Sequence, residues 1–196
     1  DIGSGKLHCV LNEHNADRDP FENRSVVSGC LEITRNGNLV ASVCNEVNIK
    51  VWELESGTIK CTLSGHKADV TCLRISNDSR FMVSGSDDKT LIVWDIVTVR
   101  RPTKLRGHKD VIRCLAISPD GRYIVSGAGS RDRTLIVWDL SKRKLAKKLS
   151  YEADGLVNCI EITSDGQLVV AAIGRTVTIW DLSLIHISEP TRQAEI

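Results

Sequence analysis

The chain has 196 residues, 41% of them hydrophobic and 26% charged, with 26 Lys and Arg against 25 Asp and Glu. That balance is globular and excludes a disordered or collagen-like composition, while a net charge of +1 offers neither a basic field for nucleic acid phosphates nor an acidic tail. The uncharged apolar runs are far shorter than a bilayer span and DIGSGKLHCV has no signal-peptide core, so the expectation is a cytoplasmic chain with no membrane contact.

From the N-terminus, residues 5–12 read as an isolated strand, and NADRDPFENR, residues 15–24, reads as a loop. Repeats then follow at about residues 15–64, 65–106, 107–150 and 151–181. Trp52, Trp94, Trp138 and Trp180 recur at intervals of 42 to 44 residues, each near the end of an apolar run: NIKVWEL, TLIVWDI, TLIVWDL and TVTIWDL. Cys30, Cys72, Cys114 and Cys159 keep a second frame inside CLEIT, CLRIS, CLAIS and CIEIT. Cys9 and Cys61 share a third, GKLHCVL against GTIKCTL, which leaves Cys44 outside the pattern. A period of about 40 residues means stacked supersecondary units. Cysteines used this way are equivalent small strand positions, not a disulfide framework or a metal set.

Within the second repeat VTCLRIS, FMVSGS and TLIVWDI are short and rich in β-branched residues, separated by the turn residues NDSR and DDK. A fourth run, TIKCTL, TKLRG or KLAKKLS, links each unit to the next. The prediction is all-β, with about four antiparallel strands per repeat and no helix. TLIVW is apolar on consecutive residues, so both faces of each small sheet must be covered by neighbouring sheets.

Gly65-His66 and Gly107-His108 before a strand, SGSDDKT and SRDRT at a tight turn, and Trp-Asp at a strand end resemble the WD-repeat β-propeller family over roughly residues 5–181. The resemblance implies radially stacked four-stranded blades. It makes residues 5–12 the outer strand of a preceding blade, and four blades an open arc of a larger ring of about seven. It also implies a buried hydrogen-bond network through His66, Ser84, Asp88 and Trp94, and a second through His108, Ser126, Asp132 and Trp138. The chemistry suits those residue types: an imidazole donates to a carboxylate with one nitrogen and accepts a hydroxyl proton with the other, while an indole N–H needs an acceptor. Read as catalytic triads, the same residues lack a Gly-x-Ser-x-Gly elbow and recur at one register, so the structural reading is taken.

The outer repeats depart from the pattern. Glu13-His14 replaces Gly-His in the first, with Glu46 at the turn position and Glu53 after Trp52. In the fourth, Tyr151-Glu152 replaces Gly-His and Gly174 falls where the Asp belongs, so that blade is expected to lack the network. Family geometry places the connection before the first strand and the tight Asp turn on one rim. Asp17, Arg18, Asp19 and Phe21 from the loop are therefore candidate partner contacts. Lys67, Asp69, Asp87, Lys109 and Asp110 join them, with Arg131 and Arg133 from the lengthened turn of the third repeat.

Gly3-Ser4-Gly5-Lys6 lacks the spaced glycine and hydroxyl of a phosphate loop, and no cofactor is implied. SKRKLAKKLS reads as an exposed outer strand whose lysines discourage edge pairing. Residues 182–196 look non-native: LSLIHISEPTR is similar to the conceptual translation of a transposase adapter used in short-read libraries, so it is left out of the fold. The repeat wording is also similar to the C-terminal propellers of NACHT and WD-repeat signalling proteins, although no ATPase motif is present. The expected function is a noncatalytic scaffold for protein or peptide partners, with no nucleic acid, membrane or small-molecule substrate.

Overall fold

Every repeat forms its own antiparallel sheet from strands consecutive in the chain. The structure, a computed structural model, describes residues 30–44 and 47–183. The strand expected at residues 5–12, His14, the loop residues Asp17, Arg18, Asp19 and Phe21, Glu46, and the tail from residue 184 onward lie outside the described residues.

The first sheet holds β1 (Leu31–Ile33), β2 (Leu39–Cys44), β3 (Asn48–Glu53) and β4 (Thr58–Leu63). The second holds β5 (Val70–Ile75), β6 (Phe81–Ser86), β7 (Thr90–Asp95) and β8 (Thr103–Arg106). The third holds β9 (Ile112–Ile117), β10 (Tyr123–Ala128), β11 (Thr134–Asp139) and β12 (Lys144–Ser150). The fourth has three strands, β13 (Val157–Ile162), β14 (Leu168–Ile173) and β15 (Thr176–Asp181). The described residues contain no α-helix.

Short polar side chains close the first hairpin of each unit. Ser76 Oγ donates to Asp78 Oδ1 at 2.5 Å and accepts the Phe81 N–H at 2.9 Å, while Arg80 N–H donates to the same carboxylate oxygen at 3.0 Å. Ser118 with Asp120, and Thr163 with Asp165, repeat the arrangement. Such local bonds satisfy turn backbone that no ladder reaches.

Three apolar clusters fill the spaces between consecutive sheets. Val83, Leu91 and Val93 of the second sheet meet Ile112, Leu115, Ile124, Ile136 and Trp138 of the third. The first–second and third–fourth boundaries repeat that packing. Two glycines permit the approach: a Cβ at Gly85 would lie 2.6 Å from Cys72 Sγ and Ile112 Cγ2, and one at Gly127 2.6 Å from Val157 Cγ1. Among the described residues the sheets are not closed into a ring, so the arrangement is an open arc. Leu91 and Val93 are 0% and 1% exposed, whereas their register counterparts in the fourth sheet, Val177 and Ile179, are 67% and 63% exposed.

The innermost strands β1, β5, β9 and β13 run side by side at the centre. Arg74 of β5 donates to Glu32 of β1 at 2.8 Å and lies 3.8 Å from Glu161 of β13. The recurrent cysteines are on the same four strands or at their edge: Cys30 Sγ donates to Thr71 O and Cys114 Sγ to Val157 O. Burial pushes the Cys72 thiol up to about 12 and raises that of Cys114 as well. These are structural thiols held protonated by an apolar surrounding.

Candidate functional site

In the second sheet, the β4–β5 connection carries His66, β6 carries Ser84, the β6–β7 turn carries Asp88 and β7 carries Trp94. Register places Ser84 opposite Ile92 and Met82 opposite Trp94, which brings the indole N–H over the hydroxyl. Trp94 Nε1–H donates to Ser84 Oγ at 2.8 Å, Ser84 Oγ lies 2.7 Å from His66 Nε2, and His66 Nδ1 lies 3.2 Å from Asp88 Oδ2. One assignment completes the chain: His66 carries its proton on Nδ1, donates to Asp88 and accepts the Ser84 hydroxyl, which accepts from Trp94. Thr90 and the Lys67 N–H also donate to Asp88.

The third sheet repeats this closely. Trp138 Nε1–H donates to Ser126 Oγ at 2.8 Å, Ser126 Oγ lies 2.7 Å from His108 Nε2, and His108 Nδ1 lies 2.7 Å from Asp132 Oδ2. The Lys109 N–H at 2.6 Å and Thr134 complete the shell around Asp132. Burial alone would raise both carboxyls, but the hydroxyl, amide and imidazole donors around them outweigh it. Asp88 lies well below the carboxylate range and Asp132 falls to about 2. Burial lowers His66, against the opposing pull of Asp88.

Three contributors escape a reading of the sequence. Lys104 of β8 and Lys148 of β12 donate to Gly65 O at 3.1 Å and Gly107 O at 3.2 Å, and Lys104 also reaches Asp88 Oδ2 at 3.2 Å. A lysine on an exposed strand reads as solvated until the carbonyl beneath it is known. Ser42 accepts from Trp52 Nε1–H at 2.9 Å, a serine that the first repeat hides because its turn and Gly-His positions are altered. In the fourth sheet Ala171 occupies the register position of Ser84 and Ser126, so Trp180 has no hydroxyl beside it at that position.

The expected rim residues that are described, Lys67, Asp69, Asp87, Lys109, Asp110, Arg131 and Arg133, lie at the ends of the strands that carry this network. Asp87 N–H donates to Asp69 O at 2.9 Å, Lys89 Nζ to Lys109 O at 3.1 Å and Arg131 N–H to Asp110 Oδ2 at 3.2 Å. Asp110 also accepts the Val111 N–H, so its carboxylate is engaged in shaping the loop. Arg133 pairs with Asp154 at 2.8 Å, both side chains well exposed. Lys67 and Arg131 are exposed, while Asp87 is half-buried, with Oδ1 lacking a hydrogen-bond partner. Burial pushes the Asp87 carboxyl up, aided by the negative charges of Asp69 and Asp110 and opposed by Arg113. Among the described residues no group of three His, Cys, Asp or Glu side chains is placed to hold a metal ion.

No curated protein matches the chain in sequence. Two solved structures, described as "Structure of U3-55K" and "Crystal structure of RRP9 WD40 repeats", are similar to it. Each has a TM-score of 0.70 and 24% identity over 82% of this chain. The chain spans about half of each, 51% and 50% respectively, and at that identity the likeness is one of fold. The sequence model described as WD domain, G-beta repeat matches residues 57–95, 100–139 and 144–181, each match ending one residue after a tryptophan, Trp94, Trp138 or Trp180. With periodicity, sheet topology and this match in agreement, the chain belongs to the WD-repeat family.

Proposed function

We propose that the chain is a noncatalytic interaction scaffold, its stacked sheets presenting loop rims to protein or peptide partners. The observation that carries this reading is the closure of both polar networks on themselves. Each serine hydroxyl is buried and already engaged by an imidazole and an indole N–H, while the rim loops carry exposed charged side chains, Lys67, Arg131 and Arg133 among them. On this reading Lys67, Asp69, Asp87, Lys109, Asp110, Arg131 and Arg133 are partner contacts, with Asp17, Arg18, Asp19 and Phe21. The finer reading, a cytoplasmic multidomain signalling protein of the NACHT and WD-repeat kind, rests on the wording of the repeats. Fold alone does not fix function.

The test pairs two substitutions. Asp87→Arg with Arg131→Glu is expected to remove partner recovery in cross-linking pulldowns while leaving the unfolding midpoint unchanged. Ser84→Ala is expected to lower that midpoint. A hydrolytic activity lost on Ser84→Ala in a protein that remains folded would replace the scaffold reading with an enzymatic one.

A further inference from the structure

A groove of about 890 Å³ opens between the first and second sheets, at the strand ends opposite the polar network. Its lining combines Leu39, Leu54 and Val97 with the carboxylates of Glu53, Glu55 and Asp78. Lys60 also lines it, so three carboxylates stand against one ammonium. Val97 is 57% exposed.

The neighbouring repeat shows what such a position takes. There the strand-end carboxylate of Asp95 is met by the Arg80 guanidinium, with Nε and Nη2 each at 3.5 Å. Arg143 of the third unit crosses back to the second sheet: its guanidinium lies 5.8 Å from the centre of the Phe81 ring and its Nη1 donates to Thr103 Oγ1 at 2.6 Å.

At the first–second boundary the counterparts of both arginines have changed. Glu53 lies opposite Leu39 as Asp95 lies opposite Phe81. Leu54 N–H bonds to Asn38 O as Ile96 N–H bonds to Arg80 O, so Asn38 stands where the second sheet has its arginine. Val99 stands where the third has Arg143, both residues in the left-handed region at φ 48° and 51°. The carboxylate and the apolar floor are retained, and both guanidinium groups are gone.

We propose that this groove docks an arginine side chain of a basic, extended peptide belonging to a protein partner. The guanidinium takes the place that Arg80 and Arg143 hold in the adjoining repeats, its planar donors set against Glu53 and Glu55 and its methylene stem along Leu39 and Val97. This deepens the scaffold reading and rests on it, but uses the opposite rim from Asp87 and Arg131.

The test starts from the full 196-residue chain, immobilised for selection from a phage-displayed library of random nonapeptides. A selected peptide is then labelled and titrated by fluorescence anisotropy. Selected peptides are expected to be enriched in arginine. Binding is expected to weaken at least tenfold when that arginine is replaced by citrulline, and equally in the Glu53→Gln/Glu55→Gln protein. Val99→Arg supplies the occupant in cis, in a backbone conformation that Arg143 already adopts, and is expected to abolish binding. Lys60→Gln is expected to tighten it. Tryptophan emission and circular dichroism establish that each variant is folded, and the Glu pair serves as the arm should Val99→Arg not fold. Peptides without arginine, peptides indifferent to the groove substitutions, or no peptide at all would overturn the proposal. Peptides lost instead on Asp87→Arg with Arg131→Glu would overturn it while keeping the scaffold reading, and a pulldown unchanged by both the rim and the groove substitutions would tell against the scaffold reading itself.

Discussion

Ser126 Oγ holds two buried groups at once, accepting from Trp138 Nε1–H and serving His108 Nε2, each within 2.8 Å. Removing the hydroxyl orphans both, and an unsatisfied buried polar group costs about 1–3 kcal/mol. Ser126→Ala is therefore expected to lower the urea midpoint by an amount equivalent to at least about 2 kcal/mol. A change below half that value would mean that water or another group takes over the hydroxyl's bonds. The result also bears on Ser84, because both serines sit at one register on equivalent strands and their imidazole bonds have the same 2.7 Å length.

At the scale of elements, the contact between sheets is limited by two small residues. At Gly127 even a methyl group would lie 2.7 Å from Val157 Cβ, so Gly127→Val forces the third and fourth sheets apart. Overpacking of this kind costs about 1–3 kcal/mol. The expected readout is regional: amide protection falls first in β13, β14 and β15, while β5–β8 keep theirs, and a uniform loss across all sheets would contradict the packing described. The Trp period locates each third strand because that spacing survives in all four repeats. The reason for glycine in SGS and SGA is not legible, because the side chain it makes room for lies about 27 to 30 residues later, at Ile112 and Val157. The His, Ser, Asp and Trp residues of the polar chains were readable from a family pattern, whereas Lys104 and Lys148 were not, since their partners are main-chain carbonyls with no sequence mark. The groove at Glu53 escaped for a related reason: it consists of what the first repeat lacks relative to the second.

At the scale of the whole molecule, the ionisable groups set a pH range. Asp88, Asp95, Asp120, Asp132 and Asp139 are lowered below their usual value, with hydrogen bonds and nearby cations outweighing burial, and burial lowers His66. For each the unfolded chain binds protons more readily, so stability rises with pH across the shifted interval and is lost as pH falls. Glu32 and Asp87, raised by burial, act in the opposite sense but are fewer. Above the ordinary thiol value of 9.0, Cys72, held near 12, favours unfolding as pH rises. Guanidinium midpoints are therefore expected to begin falling below about pH 6.5, where His66 protonates in the unfolded chain but not yet in the folded one, to fall more steeply below about pH 4, and to decline again above about pH 9. A flat profile from pH 7 to pH 4 would contradict the assignment of His66 as neutral in the folded chain.

The strand order carries one more consequence. Among the described residues each main-chain ladder begins and ends inside a single stretch of about 25 to 40 residues, and side-chain contacts are what join one stretch to the next. A tensile load drawn along the backbone thus meets separate fasteners in series, and its extension trace should be a sawtooth with one tooth for each repeat.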